Sequence, residues 1–300
     1  MSSASAYAHL GPRQDLDRPQ WGSAALLLPG LALLALLFLG PVLYALYLGF
    51  TNLELIGPHA NSYSFTGLAN VQRLAKDTTF RKAVWLTFVF VVGSAIVGQS
   101  MLGMVLALLM QRATATLRLS VGAVVIMAWV LPEITAAFVW FAFAQAGGTL
   151  SLLLGSPRTN FLDTIPLAIV CIANVWRNVA FSMLVLSAGL RNVPHEVVEA
   201  AEMEGASYWR RLFQVVLPIL RPTIVTNLLL VTLLNITGFT LIYGMTQGGP
   251  GTATTTLPIY VYLEAFNYNQ LGYGTAISLV LVLIGAAFSL LFVRSSRVQV

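Results

Sequence analysis

Long apolar stretches recur along this 300-residue chain, and they constrain its fold more than any other feature. A helix needs about 20 mostly apolar residues to cross a bilayer, and six stretches meet that length. They are Ala24–Leu48, Ala83–Met110, Leu119–Gln145, Ile165–Leu190, Thr223–Met245 and Gly272–Val293. Only 9% of the residues are charged, whereas soluble domains carry about 25%. The sequence therefore predicts an all-α membrane protein with six transmembrane helices. It excludes a soluble enzyme, a disordered chain and a nucleic-acid binder.

Basic residues border the apolar stretches unequally, and this imbalance predicts the orientation in the membrane. Ten lie in the two tails, the second-to-third loop and the fourth-to-fifth loop: Arg13, Arg18, Arg112, Arg118, Arg191, Arg210, Arg211, Arg221, Arg294 and Arg297. The opposite loops hold five, namely Arg73, Lys76, Arg81, Lys82 and Arg158. Because Lys and Arg accumulate on the cytoplasmic side, both termini are expected in the cytoplasm. The predicted organisation is a tail over residues 1–22, one membrane domain over 23–293 and a tail over 294–300.

The predicted cytoplasmic loop over residues 191–222 has the features of a helix, a break and a second helix. Pro194 favours a helix start, Gly205 interrupts the helix, and residues 206–216 are expected to form a second short helix before Pro218. One interpretation is an amphipathic segment lying on the lipid head groups, which Trp209 suits. The alternative is an exposed pair of helices that docks into a groove of another protein.

The order of residues in this loop favours docking. Glu199-Ala200-Ala201, then Gly205 four positions on, then Leu217-Pro218, resembles the EAA signature of binding-protein-dependent ABC importer permeases. Val215 stands where Ile is usual in that family, and Glu204 where Asp commonly precedes the glycine. The resemblance implies that the loop is a coupling helix seated in a cleft of an ATPase subunit. Gly205 would let the chain turn sharply, and Glu199 would contact the ATPase surface.

Two outer segments extend the resemblance over nearly the whole chain. Residues 65–70 with Asp77 and Thr87 are similar to the segment that enters the second span of the sugar-type permeases. Residues 246–250 with Tyr260 resemble their outer loop, whose Gly and Pro residues favour a tight turn. The first 20 residues match nothing. The resemblance implies a type I importer fold with short interfacial helices, in the cytoplasmic membrane of a prokaryote.

The chain lacks the motif with which an ATPase binds nucleotide. A P-loop requires Gly-x-x-x-x-Gly-Lys followed by Ser or Thr, but the only lysines, Lys76 and Lys82, are followed by Asp77 and Ala83. The three histidines are far apart, so neither a metal site nor a catalytic residue is predicted. The single Cys171 is interpreted as an inert core residue. No cofactor is expected in this chain, and ATP and Mg²⁺ are expected on a partner ATPase.

Polar residues inside the spans are candidates for the transport pathway. Charges at mid-membrane are costly and usually face a cavity or a partner, and Glu133 and Arg177 are predicted there. An ion pair between them is one explanation. Asn174, Asn178 and Asn235 are compatible with hydroxyl binding or with helix–helix hydrogen bonds.

The resemblance to the maltose-type permeases of this family adds to this interpretation. It places one set of residues at sugar-contacting positions: Trp129, Glu133, Asn174, Arg177, Asn178, Asn235 and Gly238. Asn174 and Asn235 keep the polar type expected there, whereas Glu133, Arg177 and Asn178 differ from the maltose permease, so maltose itself is not the expected substrate. An aromatic ring such as Trp129 covers a sugar's C–H face, while amides and charged groups bond its hydroxyls.

The predicted function is that of the transmembrane subunit of an ATP-driven carbohydrate importer that works by alternating access. A phosphorylated polyol such as glycerol phosphate is the alternative substrate, since Arg177 can bind phosphate. An ion-coupled secondary transporter is the alternative of a different class. Expected partners are a second homologous permease, an ATPase dimer on the coupling loops, an external binding protein or lipoprotein, the sugar and the lipid bilayer.

Overall fold

The structure is a computed structural model, and it describes residues 21–297. The only β pairing within that range is an isolated antiparallel bridge between Thr51 and Phe65. The helices are Trp21–Leu34, Gly40–Leu48, Ala69–Lys76, Thr78–Phe90, Ser100–Arg112, Ala115–Val130, Glu133–Ala144, Thr149–Leu153, Phe161–Thr164, Pro166–Arg191, His195–Met203, Tyr208–Arg211, Leu217–Ile236, Thr240–Thr246, Leu257–Tyr262 and Leu271–Arg297, with π-helical stretches at Ala35–Leu39, Val91–Gln99, Leu212–Val216 and Leu263–Asn267. The predicted all-α class is confirmed.

Six helical segments within the described range are long and apolar enough to cross a membrane. They are Leu27–Leu48, Thr78–Arg112, Glu133–Leu153, Pro166–Arg191, Tyr208–Ile236 and Leu271–Leu290, and they are called the first to sixth spans below. The number of spans agrees with the sequence prediction, although the limits differ and two predicted spans, the third and the fifth, are interrupted. The shorter apolar helix Ala115–Val130 lies outside this set.

The chain forms two compact units, which divide between Tyr47 and Leu48. Within the first unit, the helix Trp21–Leu34 contains Pro29 and continues through the π-helical stretch Ala35–Leu39. Its apolar residues give the first span its length. The prediction for the N-terminal tail falls on residues 1–22, of which 1–20 lie outside the described range.

The fourth span, Pro166–Arg191, forms the centre of the second unit. It packs against the second span where that span has small residues. A Cβ atom on Gly103 would lie only 2.5 Å from the Cβ of Ser182, and Ala107 is fully buried. Because small residues let helix backbones approach closely, the small residues of the second span have a structural role here.

The predicted third span, Leu119–Gln145, is wrong as a single helix. The helix Ala115–Val130 stops before Pro132, and Glu133–Ala144 begins after it. Pro132 has no N–H to continue the helix, and it disfavours helical geometry at Leu131, whose ψ angle is 135°. The apolar composition continues across this break, so composition alone predicts one helix.

The predicted fifth span, Thr223–Met245, is also divided. One helix ends at Ile236, and the separate helix Thr240–Thr246 follows. In the connecting turn, the Gly238 amide donates to the Asn235 carbonyl at 3.0 Å. Glycine and threonine have low helix propensity, which favours a break at this point.

The short helix expected before Pro218 instead continues into the fifth span. It begins at Tyr208, passes through the π-helical stretch Leu212–Val216 and proceeds without interruption to Ile236. Pro218 lacks an N–H, and the wider π turns just before it accommodate the missing hydrogen bond. The end predicted at Pro218 is therefore wrong. One continuous helix joins the 191–222 loop to the membrane.

Candidate functional site

The 191–222 loop, called the EAA loop below, contains a short helix that Gly205 ends. The helix His195–Met203 follows Pro194, as predicted. Gly205 has a φ angle of +77°, and its amide donates to the Glu202 carbonyl at 2.9 Å. A glycine in the left-handed region is the common way to end a helix, because it has no Cβ to clash. Nothing lies within 4 Å of a Cβ built on Gly205, so only its backbone angle requires glycine.

The tip of this loop presents its signature residues outward. Glu199 and Ala200 are exposed and Ala201 is half-buried, while Met203 is 89% exposed. No residue of the helix His195–Met203 is buried. Glu199, Ala200 and Gly205 therefore lie at the surface of the chain, with Ala201 partly exposed between them.

Two further contacts hold the EAA loop in shape. Arg211 forms an ion pair with Glu202 at 2.5 Å, which joins the two helices on either side of Gly205. The Arg112 guanidinium lies 4.0 Å from the centre of the Tyr208 ring. The remaining signature residues, half-buried Leu217 and exposed Pro218, lie further along the helix that becomes the fifth span.

Within the membrane-spanning part, five polar side chains form a continuous hydrogen-bonded series, called the polar chain below. Arg177 Nη1 donates to Asn178 Oδ1 at 3.0 Å, and Asn178 Nδ2 donates to Asn174 Oδ1 at 2.9 Å. Asn174 Nδ2 donates to Asn235 Oδ1 at 2.6 Å. Asn235 Nδ2 then donates to Gln99 Oε1 at 3.4 Å. The polar chain therefore connects the second, fourth and fifth spans.

Two members of this site were not predicted from the sequence. Ser94 accepts from Asn174 Nδ2 at 3.0 Å, and Gln99 ends the polar chain. Both lie in the π-helical stretch Val91–Gln99 of the second span, and both are almost fully buried. The available signal was their polarity inside an apolar run, since polar residues in spans commonly bond across helices.

The members of the polar chain differ in how deeply their side chains are buried. Asn174 and Asn235 are 4% and 7% exposed, and their amide groups are engaged with protein partners. Arg177 and Asn178 are only half-buried. The Arg177 end of the polar chain is therefore partly exposed, whereas the enclosed asparagine pair joins helices.

The ion pair considered between Glu133 and Arg177 is wrong, because these two described residues form no such contact. Arg177 Nη2 instead donates to the Leu131 carbonyl at 3.3 Å, and its Nε is buried without a partner in the described chain. Glu133 is the first residue of the helix Glu133–Ala144, whose N-terminal dipole favours a carboxylate. Arg177 has no comparable neutralising group among residues 21–297.

The polar chain passes both helix breaks before it ends at Gln99. At the first break, Arg177 bonds to Leu131 beside Pro132. At the second, Asn235 lies one residue before the end of its helix, and its carbonyl accepts the Gly238 amide in the turn. Irregular backbone at membrane depth is tolerated only where it is buried in protein or lines a cavity. The seven predicted pathway residues therefore cluster around two backbone interruptions.

Trp129 lies at the first of these breaks. It is 38% exposed, and its ring centre lies 6.3 Å from that of Phe181 in the fourth span. Gly238 occupies the second break and is half-buried. A Cβ on Gly238 would lie 3.0 Å from the Asn235 carbonyl oxygen, so a larger residue would press on the end of the fifth span.

A separate polar cluster ties together the outer segments that carry the wider resemblance. Asp77 caps the second span and accepts hydrogen bonds from the Tyr260 hydroxyl at 2.5 Å and the Tyr273 hydroxyl at 2.6 Å. Burial alone would raise the pKa of the Asp77 carboxyl, but these hydroxyls and the amides of Phe80 and Thr79 lower it below its ordinary value. The cluster anchors the outer loop to the second and sixth spans.

The tight outer turn predicted at residues 246–250 is present. Gln247 and Gly248 have φ angles of 52° and 91°, and the Gly249 amide donates to the Thr246 carbonyl at 2.8 Å. Further along, the Leu257 amide donates to the Thr87 hydroxyl at 2.7 Å. Asp77 and Thr87, two motif residues of the second span, therefore both hold the outer loop.

The sequence that builds this geometry matches a known family. The family model for the inner membrane component of binding-protein-dependent transport systems matches residues 99–298, which include the EAA loop and all five members of the polar chain. The chain belongs to this family. It is a non-catalytic, multi-pass permease subunit of an ABC importer in the cytoplasmic membrane, and the family implies an ATPase and a substrate-binding protein as partners.

Relatives with named functions align over most of this permease. It is 30% identical to the sulfoquinovosyl glycerol transport system permease protein SmoG of Agrobacterium fabrum over 91% of this chain and 90% of that protein. It is 33% identical to the trehalose transport system permease protein SugA of Mycobacterium tuberculosis over 85% and 81%. A bacterial importer of the acidic polysaccharide alginate has a chain of the same fold, with a TM-score of 0.73 and 19% identity over 93% of this chain and 96% of that one.

Proposed function

We propose that this permease moves a carbohydrate into the cytoplasm by alternating access, with both termini in the cytoplasm. The observation that carries the proposal is the polar chain, which places amide and guanidinium groups between two helix breaks. Amides and charged groups suit hydroxyl recognition, and Trp129 offers a half-open aromatic surface beside them. The related permeases named for trehalose and sulfoquinovosyl glycerol transport support a sugar as the cargo.

The proposed assembly contains this chain, a second homologous permease and two copies of an ATPase that binds ATP and Mg²⁺. An external binding protein or lipoprotein delivers the solute to the outer loops. The free surface around Glu199 and Gly205 supports docking of an ATPase there, because the exposed tip leaves those residues available. The excess of arginine near that loop supports its cytoplasmic location.

The continuous helix from Tyr208 to Ile236 supplies a mechanical link between the two parts of the site. Its 29 residues span about 44 Å at 1.5 Å per residue. The EAA loop lies at one end, and Asn235 lies at the other. ATP-driven closure of the ATPases would move the loop, and the helix would carry this movement to the polar chain. Transport follows if ATP binds the two conformations with different affinities.

A phosphorylated polyol is the second candidate cargo. The supporting observation is Arg177, whose charge has no carboxylate partner among the described residues. A guanidinium binds phosphate through parallel charge-assisted hydrogen bonds.

Uptake into proteoliposomes that contain the whole importer separates these candidates. With the binding protein present, we expect uptake of trehalose-type or acidic sugars and none of glycerol 3-phosphate. Asn235→Ala should reduce uptake or change its selectivity, while the matched variant Thr237→Ala, two residues away on an exposed position, should not. Uptake of glycerol 3-phosphate alone would assign the second candidate, and unchanged uptake by Asn235→Ala would remove the polar chain from the pathway.

A further inference from the structure

A cavity with two different lobes lies where the EAA loop meets the ends of the second and fourth spans. One lobe, of about 350 Å³, is lined by polar and basic side chains that include Arg118, Arg191 and His195. The other, called the apolar lobe below, has a volume of about 180 Å³ and is lined by six apolar residues that include Val193 and Val198, and by Gln111, His195, Tyr208, Arg112 and Arg211. Both arginines of this lobe are engaged, since Arg112 lies over the Tyr208 ring and Arg211 pairs with Glu202. The lobes share three lining residues: Gln111, Leu190 and His195.

The larger lobe, called the basic lobe below, is lined by arginine side chains and by no acidic side chain. No Asp or Glu lines either lobe. Arg118 is held in place because its Nε and Nη2 donate to the carbonyls of Met110 and Ala113 at 3.0 and 3.2 Å. Arg191 makes no ion pair or side-chain hydrogen bond within residues 21–297. Two guanidinium groups that face one cavity with no carboxylate suit an anion with several acceptor oxygens.

The neighbouring apolar lobe restricts which anion fits. A free phosphate ion gains nothing from a surface that includes Leu108, Val193, Val198 and Val216. A phospholipid carries both parts, a phosphate group and hydrocarbon chains. Basic pockets between transmembrane helices on the cytoplasmic side commonly bind anionic lipid head groups.

We propose that this cavity binds an anionic phospholipid of the inner leaflet, with its phosphate between Arg118 and Arg191 and the start of its acyl chains in the apolar lobe. The proposal rests on the orientation given under the proposed function. Val193, His195 and Val198 belong to the cavity wall and lie at the start of the EAA-loop helix. Bound lipid therefore stabilises the position of the loop that receives the ATPase.

Native mass spectrometry of the purified importer tests the site. The complex is exposed to equal amounts of phosphatidylglycerol and phosphatidylcholine, and the lipids retained after detergent exchange are counted. We expect preferential retention of phosphatidylglycerol. Arg191→Gln should lower it about fivefold, the change that one basic residue near an anionic membrane is worth. Arg191→Lys should retain most of the binding.

Arg210→Gln is the matched control, because Arg210 has the same charge, lies in the same loop and is absent from the cavity wall. Equal loss in both variants would show diffuse surface attraction and overturn the site. Equal retention of the two lipids, or displacement of phosphatidylglycerol by millimolar inorganic phosphate or glycerol 3-phosphate, would overturn the lipid assignment. Lipid retained only when the ATPase is removed would assign the cavity to the protein interface instead.

This binding measurement is independent of the cargo. If labelling of Arg191→Cys from outside intact cells succeeds, the proposed orientation and the inner-leaflet lipid fail together. If the orientation holds and no carbohydrate is transported, only the proposed function fails.

Discussion

The EAA loop and the polar chain are both rich in polar residues, but they are built in opposite ways. In the loop helix His195–Met203 no residue is buried, and its link to the next helix is the single ion pair from Arg211. In the polar chain, Asn174 and Asn235 are nearly fully enclosed and bond to one another across two spans. Substitutions in the loop should therefore disturb partner contact while the fold survives. Substitutions in the polar chain should disturb stability and transport together.

The largest expected effect is a loss of uptake on changing Gly205 without loss of membrane insertion. Gly205→Val should reduce uptake to background, because a β-branched residue is strongly disfavoured at a φ angle of +77°. Gly205→Ala should lower the population of the native loop conformation about 5–30-fold, because alanine at this backbone angle costs about 1–2 kcal/mol. Uptake and complex recovery are measured together.

Gly205→Asn is the control for this prediction, since asparagine tolerates the left-handed region. We expect it to keep more uptake than Gly205→Ala. If Asn is as harmful as Val, close approach of the ATPase rather than the backbone angle requires glycine here. Normal uptake by Gly205→Val would remove the loop from coupling.

The next effect concerns the buried end of the polar chain. Asn235→Ala should lower the free energy of unfolding by about 1–3 kcal/mol, because buried Gln99 Oε1 loses its partner and Asn174 Nδ2 loses one of its two hydrogen bonds. Thermal unfolding in detergent measures this, with Thr237→Ala as the nearby exposed control. Equal stability of the two variants would contradict the interlocked arrangement described here.

A smaller effect is expected at the outer cluster, where pH is the probe. The folded-state pKa of Asp77 is below its ordinary value, so its stabilising contribution is present above about pH 4. That contribution is lost as pH falls through the folded pKa. Asp77→Asn should therefore reduce the free energy of unfolding at pH 7. Below about pH 4, the stability of this variant should depend less on pH than that of the wild type.

Glu264, in the same outer region, acts in the opposite direction. Burial raises the pKa of its carboxyl, although Tyr260 and Arg73 oppose this shift. The Asp77 charge also raises the pKa of Glu264, so the comparison is made in a Glu264→Gln background, where the difference between the two stability curves isolates Asp77. A difference that does not change with pH would contradict the role given to Asp77.

The smallest expected effect lies in the EAA loop. Glu202→Gln removes the charge that pairs with Arg211, and Glu202 is largely exposed in this pair. Exposed ion pairs contribute about 0.2–1 kcal/mol, so we expect a small change in stability that salt also suppresses. Glu196→Gln, an exposed acid of the same helix without an ion pair in the described chain, is the control.

Features that depend on a continuous segment of sequence were predictable. The spans follow from apolar length, and the turn at Gly205 follows from one motif. The breaks at Pro132 and Gly238 were not predicted, because apolar composition continues across both.

Long-range partners were also missed. Ser94 and Gln99 stand alone in an apolar run, and their partners lie 80 and 136 residues away along the chain. Asp77 was noted as part of a motif, but its contacts with Tyr260 and Tyr273 depend on how distant segments fold together. The sequence shows that these residues are polar, but it does not show which residues they pair with.

Release of carbohydrate from inside-out proteoliposomes that contain the complete importer tests the central claim most directly. The ATPase subunits face outward with ATP supplied outside, and the loaded binding protein is enclosed in the vesicle. The account predicts that sugar leaves the vesicle only when ATP is hydrolysed and that ionophores which abolish H⁺ and Na⁺ gradients have no effect. Export driven by an ion gradient without ATP would contradict it and assign the chain to the secondary transporters.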